Sequence, residues 1–195
     1  MSQFVLASAS PRRRQLLDSL GLRFTVDPAH VDESMLVGES PEEHTLRLAA
    51  DKAGKVALRH PDMWVLGADT AVVIDGNLLG KPEDEEDAVR MLSMIQGKTH
   101  TVYTGFAFHR HSDKVSAQGV VSSAVHVRSL TLEQTRWYVS TGEPMDKAGA
   151  YAIQGIGSCI VESVKGSYTN VVGLPLAEVV RTAERLGIFQ LTDLR

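Results

Sequence analysis

Cysteine and aromatic residues are scarce in this chain of 195 residues. Cys159 is its one cysteine, which excludes an intrachain disulfide and the cysteine clusters of zinc ribbons and iron–sulfur proteins. A lone cysteine beside glycine is more often a small core residue than a nucleophile, so we expect Cys159 to be buried. Aromatic residues make up 6% of the chain, so small and branched aliphatic side chains must fill the core.

Long apolar runs and an excess of positive charge are also missing. No apolar stretch approaches the roughly 20 residues that a helix needs to span a bilayer. The first residues lack the basic segment and long apolar run of a signal peptide, so we expect a cytoplasmic protein. The formal net charge is -4, from 20 basic and 24 acidic side chains, which argues against a nucleic-acid-binding module but allows a small anionic ligand.

The order of helix and strand patterns predicts an α/β fold. Hydrophobic residues form 43% of the chain, enough for the core of one domain over residues 1–195. Helices alternate with strands and hairpins join some neighbouring strands, so we expect a mixed sheet. Strands are predicted over residues 3–7, 24–26, 63–66, 71–74, 99–109, 115–127 and 159–164, and helices over residues 11–20, 41–60, 82–95, 131–140 and 174–186.

Cap and turn residues support several of these boundaries. Ser10 and Ser40 are good N-caps, and each is followed by proline at the first helical position. Glu43 completes a capping box with Ser40. The dipeptide Asp75-Gly76 is typical of a hairpin turn.

Three arginines, Arg12, Arg13 and Arg14, fall in the first turn of the first predicted helix. The helix dipole disfavours cations there, whereas the free N–H groups make the same place a natural anion site. The run therefore indicates either phosphate binding or a solvated basic patch. Lys81 also lies between a strand and a predicted helix, where a cation again fits phosphate binding.

Three other charged residues stand in apolar or acidic surroundings. Lys52 shares a helical line with Leu48 and Val56, so it either binds a ligand or extends along apolar surface to water. Asp69 lies between two apolar runs, and carboxylates rarely end buried strands without a partner. A metal ion would be such a partner, and Glu33 could approach it from an acidic loop. The alternatives are a turn-forming or capping Asp69 and a solvated Glu33.

Five motifs lie in order along the chain: residues 6–13 (LASASPRR), 67–70 (GADT), 80–82 (GKP), 146–155 (DKAGAYAIQG) and 172–175 (VGLP). Together they resemble the Maf nucleotide pyrophosphatases. The resemblance implies a twisted mixed β-sheet flanked by helices, with two lobes and a cleft as in ITPase-like folds, and a homodimer. It also implies a hydrolase that cuts the α–β phosphoanhydride of a nucleoside triphosphate, releasing the monophosphate and pyrophosphate.

The same resemblance implies roles for single residues. Asp69 is expected to accept the proton of the attacking water and, with Glu33, to bind a divalent cation, Mg²⁺ or Mn²⁺. No role follows for Arg14. The phosphate-binding set that the resemblance implies is Ser8, Arg13, Lys52 and Lys81.

Three positions separate subgroups of this family, and here they are Arg12, Thr70 and Gln154. The subgroup acting on 7-methyl-GTP has tryptophan, glutamine and glutamate there, which suits a cationic purine. Gln154 can donate and accept hydrogen bonds at once, as the imide edge of uracil or thymine requires. The chain thus resembles the dTTP/UTP subgroup, whose partner is a small nucleotide rather than a nucleic-acid polymer or a membrane.

Two alternatives to this function stay open. One is a pyrophosphatase for 7-methyl-GTP or another modified nucleotide, which a panel of substrates would separate from a pyrimidine enzyme. The other is a non-catalytic, nucleotide-binding regulator, because the family is linked to septum formation. That alternative predicts nucleotide binding without turnover when metal is present.

Overall fold

One mixed sheet holds seven strands within residues 3–194, the residues that the structure, a computed structural model, describes. The strands are β1 (Phe4–Leu6), β2 (Phe24–Val26), β3 (Val65–Ile74), β4 (Asn77–Leu79), β5 (Thr99–Arg110), β6 (Val115–Val127) and β7 (Val161–Lys165). Their order is β2-β1-β3-β5-β6-β7, and β4 pairs with β3. β1 pairs in parallel with β2 and β3, whereas β3 with β4 and β6 with β7 are antiparallel. The predicted α/β fold with a mixed sheet is confirmed.

Helices occupy most of the segments that the sequence assigns to them. They are α1 (Pro11–Asp18), α2 (Pro41–Ala57), α3 (Glu85–Ile95), α4 (Leu132–Ser140), α5 (Tyr168–Val172) and α6 (Leu176–Arg185). Among residues 3–194, none of them combines the length and the apolar character needed to cross a membrane. Residues 1, 2 and 195 lie outside the described residues. The expectation that a signal peptide is absent rests partly on residues 1 and 2.

The predicted caps and hairpin are confirmed. The Ser10 hydroxyl accepts the N–H of Arg13 at 3.5 Å, and Ser40 and Glu43 form the capping box of α2. The turn between β3 and β4 has positive φ at both central residues, 49° at Asp75 and 78° at Gly76, as a type I′ turn requires.

Several other expectations are wrong. The strands predicted over residues 63–66 and 71–74 are one strand, β3, so Asp69 lies within a strand. Helix α3 starts three residues later than residue 82 because the Asp84 side chain caps it. α6 begins at Leu176 because Pro175 is its N-cap residue, and α5 was not predicted. Cys159 is exposed because it ends a short 3-10 helix, and β7 begins only at Val161.

The described residues divide into two compact units. The first unit takes in residues 3–69, 104–121 and 173–194, and the second takes in residues 70–103 and 122–172. The division falls within β3, β5 and β6, so each of these strands contributes residues to both units. The single domain over residues 1–195 and the cleft that the resemblance implies stay predictions.

Each unit has its own apolar core. In the first unit Phe4 and Leu6 pack with residues of α1 and α6, while Val5 packs with residues of α2. Strand β1 is therefore buried on both faces, as a central parallel strand should be. In the second unit, Leu92 of α3 and Tyr138 of α4 belong to one cluster with strand residues of β3, β5 and β6.

Candidate active site

Lys52 contacts two carboxylates in the first unit. Its Nζ lies 2.7 Å from Oδ1 of Asp69 and 2.6 Å from Oε1 of Glu33. The Lys52 and Asp69 side chains are 9% and 14% exposed, whereas Glu33 is 61% exposed. We call these three residues the carboxylate–lysine cluster. The predicted inward direction of Lys52 is confirmed, and its ammonium pairs with carboxylates rather than extending to water.

A glycine explains how α2 brings Lys52 to Asp69. Gly67 precedes Asp69 by two residues on β3, so both point to the same face of the strand. A β-carbon at Gly67 would overlap the backbone of Ala49 and Ala53 in α2. Because glycine lacks that atom, the helix lies directly on the strand and Lys52 reaches the carboxylate of Asp69.

Arg13 connects the end of β1 with the segment before α6. Its Nε donates to the carbonyl of Gly173 at 2.8 Å, and its Nη1 donates to the hydroxyl of Ser8 at 3.0 Å. Arg12, Arg13 and Arg14 lie in the first turn of α1, as predicted. Arg14 is 66% exposed and pairs with Asp18 one helical turn away, which fits a solvated charge.

The charges of Arg13 and the carboxylate–lysine cluster act on each other. Burial lowers the pKa of the Arg13 guanidinium, and the carboxylates of Asp69 and Glu33 oppose this effect. The positive charge of Arg12 lowers the same pKa further. A guanidinium keeps its proton under such influences, so Arg13 adds a cation near the two carboxylates.

The second unit contains the other three predicted site residues, Thr70, Lys81 and Gln154. Thr70 is half-buried on β3, Lys81 is exposed between β4 and α3, and Gln154 is half-buried before the 3-10 helix Gly155–Cys159. Gly149 contacts the segments that carry Thr70 and Lys81. Its N–H donates to the carbonyl of Gly80 at 3.0 Å, and a β-carbon there would overlap the side chain of Val72.

The donor atoms of the carboxylate–lysine cluster suit a hard divalent cation. Within residues 3–194, no group of three or more histidine, cysteine, aspartate or glutamate side chains is arranged to hold a metal ion. Mg²⁺, however, is commonly bound through one or two carboxylates together with substrate phosphates and water. Glu33 and Asp69 meet at one Lys52 ammonium and provide such a pair of oxygen ligands.

Two residues with an extensive hydrogen-bond network were not singled out from the sequence. Glu143 and Tyr138 bind the backbone on both sides of Gln154. Neither residue is part of a short sequence motif, because their backbone partners lie up to 14 residues away in the chain. The local features of that segment that point to a close approach are its glycines, Gly155 with its positive φ and Gly157 with no room for a β-carbon.

Comparison with known proteins identifies the family. Residues 3–186 match the model of a protein family described as "Maf-like protein". A dTTP/UTP pyrophosphatase of Myxococcus xanthus is 52% identical over 94% of this chain and 92% of that protein. A protein of the same name from Geobacter metallireducens is 50% identical over 95% of this chain and 97% of that protein. A HAM1 protein structure from Coxiella burnetii is 15% identical with a TM-score of 0.40, over 64% of this chain and 73% of that chain, a likeness too slight to support an argument. With a match over nearly its whole length, this chain belongs to the Maf family.

Proposed function

We propose that this chain hydrolyses dTTP and UTP to the nucleoside monophosphate and pyrophosphate. The observation that carries the proposal is its high identity to relatives named dTTP/UTP pyrophosphatase, 52% and 50% over almost the full chain. The carboxylate–lysine cluster supports it, because paired carboxylates and a lysine are groups that phosphoanhydride hydrolysis uses.

Asp69 is the residue to which we assign the proton transfer. Lys52 contacts its Oδ1, so Oδ2 is the atom that accepts a proton from the attacking water. The water oxygen forms a bond to the α-phosphorus while the bond from that phosphorus to the α–β bridging oxygen breaks. The electron pair of the broken bond leaves with pyrophosphate, and the other product is the monophosphate.

The phosphate groups are bound by cations and a hydroxyl. We assign this role to Ser8, Arg13, Lys52 and Lys81, whose side chains offset the charge that builds on the phosphate oxygens. Glu33 and Asp69 would hold a divalent cation, Mg²⁺ or Mn²⁺, which when bound supplies further charge neutralisation at those oxygens.

The base is selected by Gln154, together with Arg12 and Thr70. The amide of Gln154 makes no hydrogen bond to another residue in the described part of the chain, so it can serve a ligand. Its oxygen accepts from the N3–H of uracil or thymine while its nitrogen donates to a ring carbonyl. Arginine and a neutral glutamine suit a methylated, cationic purine poorly.

The test is turnover of a nucleotide panel by the wild type and by Asp69→Asn. With Mg²⁺ or Mn²⁺, the wild type should release dTMP and UMP with pyrophosphate. Asp69→Asn should lower kcat by between about 100-fold and 10,000-fold, the usual contribution of a general base, while the variant stays folded at the assay temperature because Lys52 keeps its ion pair with Glu33. Asp75→Asn is the matched control, because Asp75 is an exposed turn residue.

Other outcomes would point to the alternatives. Turnover of 7-methyl-GTP alone would favour a pyrophosphatase for modified purines. Nucleotide binding without turnover of any substrate would favour a regulator. Full activity in Asp69→Asn would remove Asp69 from the mechanism while leaving the substrate assignment intact.

The resemblance also supports a homodimer in the cytoplasm as part of the proposal. Sedimentation equilibrium should then give about twice the chain mass of 21.2 kDa. A mass of one chain at the concentrations used for assays would refute the homodimer.

A further inference from the structure

The carboxylate of Glu143 lies at the centre of a hydrogen-bond network in the second unit. Its Oε1 accepts the hydroxyl of Tyr138 at 2.8 Å and the N–H of Gly157 at 2.7 Å. Its Oε2 accepts the N–H of Ile156 at 2.9 Å. The Tyr138 hydroxyl in turn accepts the N–H of Ala152 at 3.1 Å. One carboxylate and one hydroxyl thus bind three backbone N–H groups of a single loop.

Those three N–H groups lie on both sides of Gln154. One belongs to the residue two positions before it, and two belong to the second and third residues after it. We call residues 152–157 the Gln154 loop. The Gln154 side chain has no hydrogen bond of its own within the described residues, whereas Glu143 and Tyr138 bind the backbone on both sides of it.

The glycines of the Gln154 loop fit this arrangement. Gly155 has a φ of 66°, and a β-carbon there would overlap the carboxylate of Glu143. A β-carbon at Gly157 would overlap the hydroxyl of Tyr138 and the carbonyl of Ala152. Glycine at these two positions is therefore what lets the loop close around the two side chains.

The Glu143 carboxylate is itself fixed and charged. The Lys147 ammonium donates to the Glu143 carbonyl at 2.7 Å, and Tyr138 is fully buried. Burial raises the pKa of Glu143, but the hydrogen bonds from Gly157, Tyr138 and Ile156 outweigh it and hold the pKa below its ordinary value. Hydrogen bonds to an ionised carboxylate are stronger than those between neutral groups.

We infer that Glu143 and Tyr138 are positioning residues for base selection, acting through the backbone of Gln154. The inference rests on the proposed function, in which Gln154 contacts the base. A glutamine amide can turn either its oxygen or its nitrogen to a base, and it pairs with both the N3–H and a ring carbonyl of uracil or thymine only when its backbone lies at a defined place relative to the ring. Selection of these bases requires a fixed loop, and the Glu143 network provides it.

The experiment measures kcat/KM for dTTP and for CTP in four variants and the wild type. Glu143→Gln keeps the size of the side chain but replaces one acceptor oxygen by an NH₂ donor, so at least one of its three donors loses its partner. Tyr138→Phe removes the hydroxyl that joins Glu143 to Ala152. Gln154→Ala removes the proposed base contact, and Glu133→Gln is the control on an exposed glutamate of α4.

We expect Glu143→Gln to lower the ratio of kcat/KM for dTTP to that for CTP by about tenfold, the effect of losing one typical hydrogen bond. Tyr138→Phe and Gln154→Ala should lower the same ratio, and Glu133→Gln should leave it unchanged. A purely structural role would lower the unfolding midpoint and reduce turnover of both nucleotides equally. Assays are therefore run below the unfolding midpoint of each variant.

The outcomes separate this inference from the proposed function. A wild type that hydrolyses neither dTTP nor UTP would overturn the proposed function, and the inference with it. If Gln154→Ala loses selectivity while Glu143→Gln and Tyr138→Phe keep the wild-type ratio, the proposed function stands and the positioning role is wrong.

Discussion

Acidification should destabilise this protein through one buried histidine, His100 of β5. The side chain is 2% exposed, and its Nε2 lies 2.7 Å from the hydroxyl of Tyr151. Its Nδ1 is buried and has no hydrogen-bond partner in the described part of the chain. Burial therefore lowers the pKa of His100 from 6.5 to about 4, because the charged form would lose its hydration.

The sign and size of the effect follow from linkage between protonation and folding. The unfolded chain binds a proton at His100 near pH 6.5, whereas the folded chain does so only near pH 4. The contribution to stability is thus fully present above pH 6.5 and is lost as the pH falls toward 4. The free energy of unfolding should be about 2 kcal/mol smaller at pH 5 than at pH 7, and about 3 kcal/mol smaller below the folded-state pKa.

Urea denaturation at pH 5, 6 and 7 measures this loss. His100→Gln removes the titrating group, so the decrease between pH 7 and pH 5 should be about 2 kcal/mol smaller than in the wild type. His126→Gln is the control in the same unit, because the His126 side chain is 37% exposed. An equal decrease in the wild type and in His100→Gln would refute the assignment of this pH dependence to His100.

Two further substitutions test the contacts that position the site. Gly67→Ala should lower the free energy of unfolding by about 1–3 kcal/mol, because the added methyl group overpacks against α2, and it should also lower kcat. Gly54→Ala, which has open space around it, should stabilise α2 slightly. Thermal unfolding and dTTP turnover check both variants, and an unchanged unfolding midpoint in Gly67→Ala would contradict the close approach. Arg13→Lys should lower kcat/KM about tenfold, because one ammonium cannot donate to Ser8 and Gly173 as the guanidinium does. Arg14→Lys is the control and should leave kcat/KM unchanged. Equal activity in both variants would show that the fork geometry of Arg13 is unimportant.

The features that the sequence predicted well depend on neighbours a few residues away. The Ser10 cap and the Ser40 capping box involve donors and acceptors three residues apart. The inward direction of Lys52 follows from its spacing to Leu48 and Val56 on one helix face. Such contacts form whenever the helix forms, so no knowledge of the remaining chain is needed.

The features that the sequence did not predict depend on contacts between distant segments. The close packing of β3 at Gly67 involves the backbone of α2, which lies close to it in space only after folding. One partner of Arg13 is a main-chain carbonyl 160 residues away, and a carbonyl carries no signal in the residue type. The Glu143 network likewise binds N–H groups, which every residue except proline offers, so its positions cannot be read from side-chain chemistry.

The sequence left two interpretations of Lys52, ligand binding or extension to water along apolar surface, and the surrounding charges argue against the second. A lysine that only covers apolar surface would extend its ammonium to water, whereas this one is 9% exposed and contacts two carboxylates. The formal charges of Lys52 and Arg13 cancel those of Asp69 and Glu33. The formal charges of these four side chains therefore sum to zero. A divalent cation bound to the two carboxylates would make the group doubly positive, and that charge favours a polyanionic triphosphate over a neutral ligand.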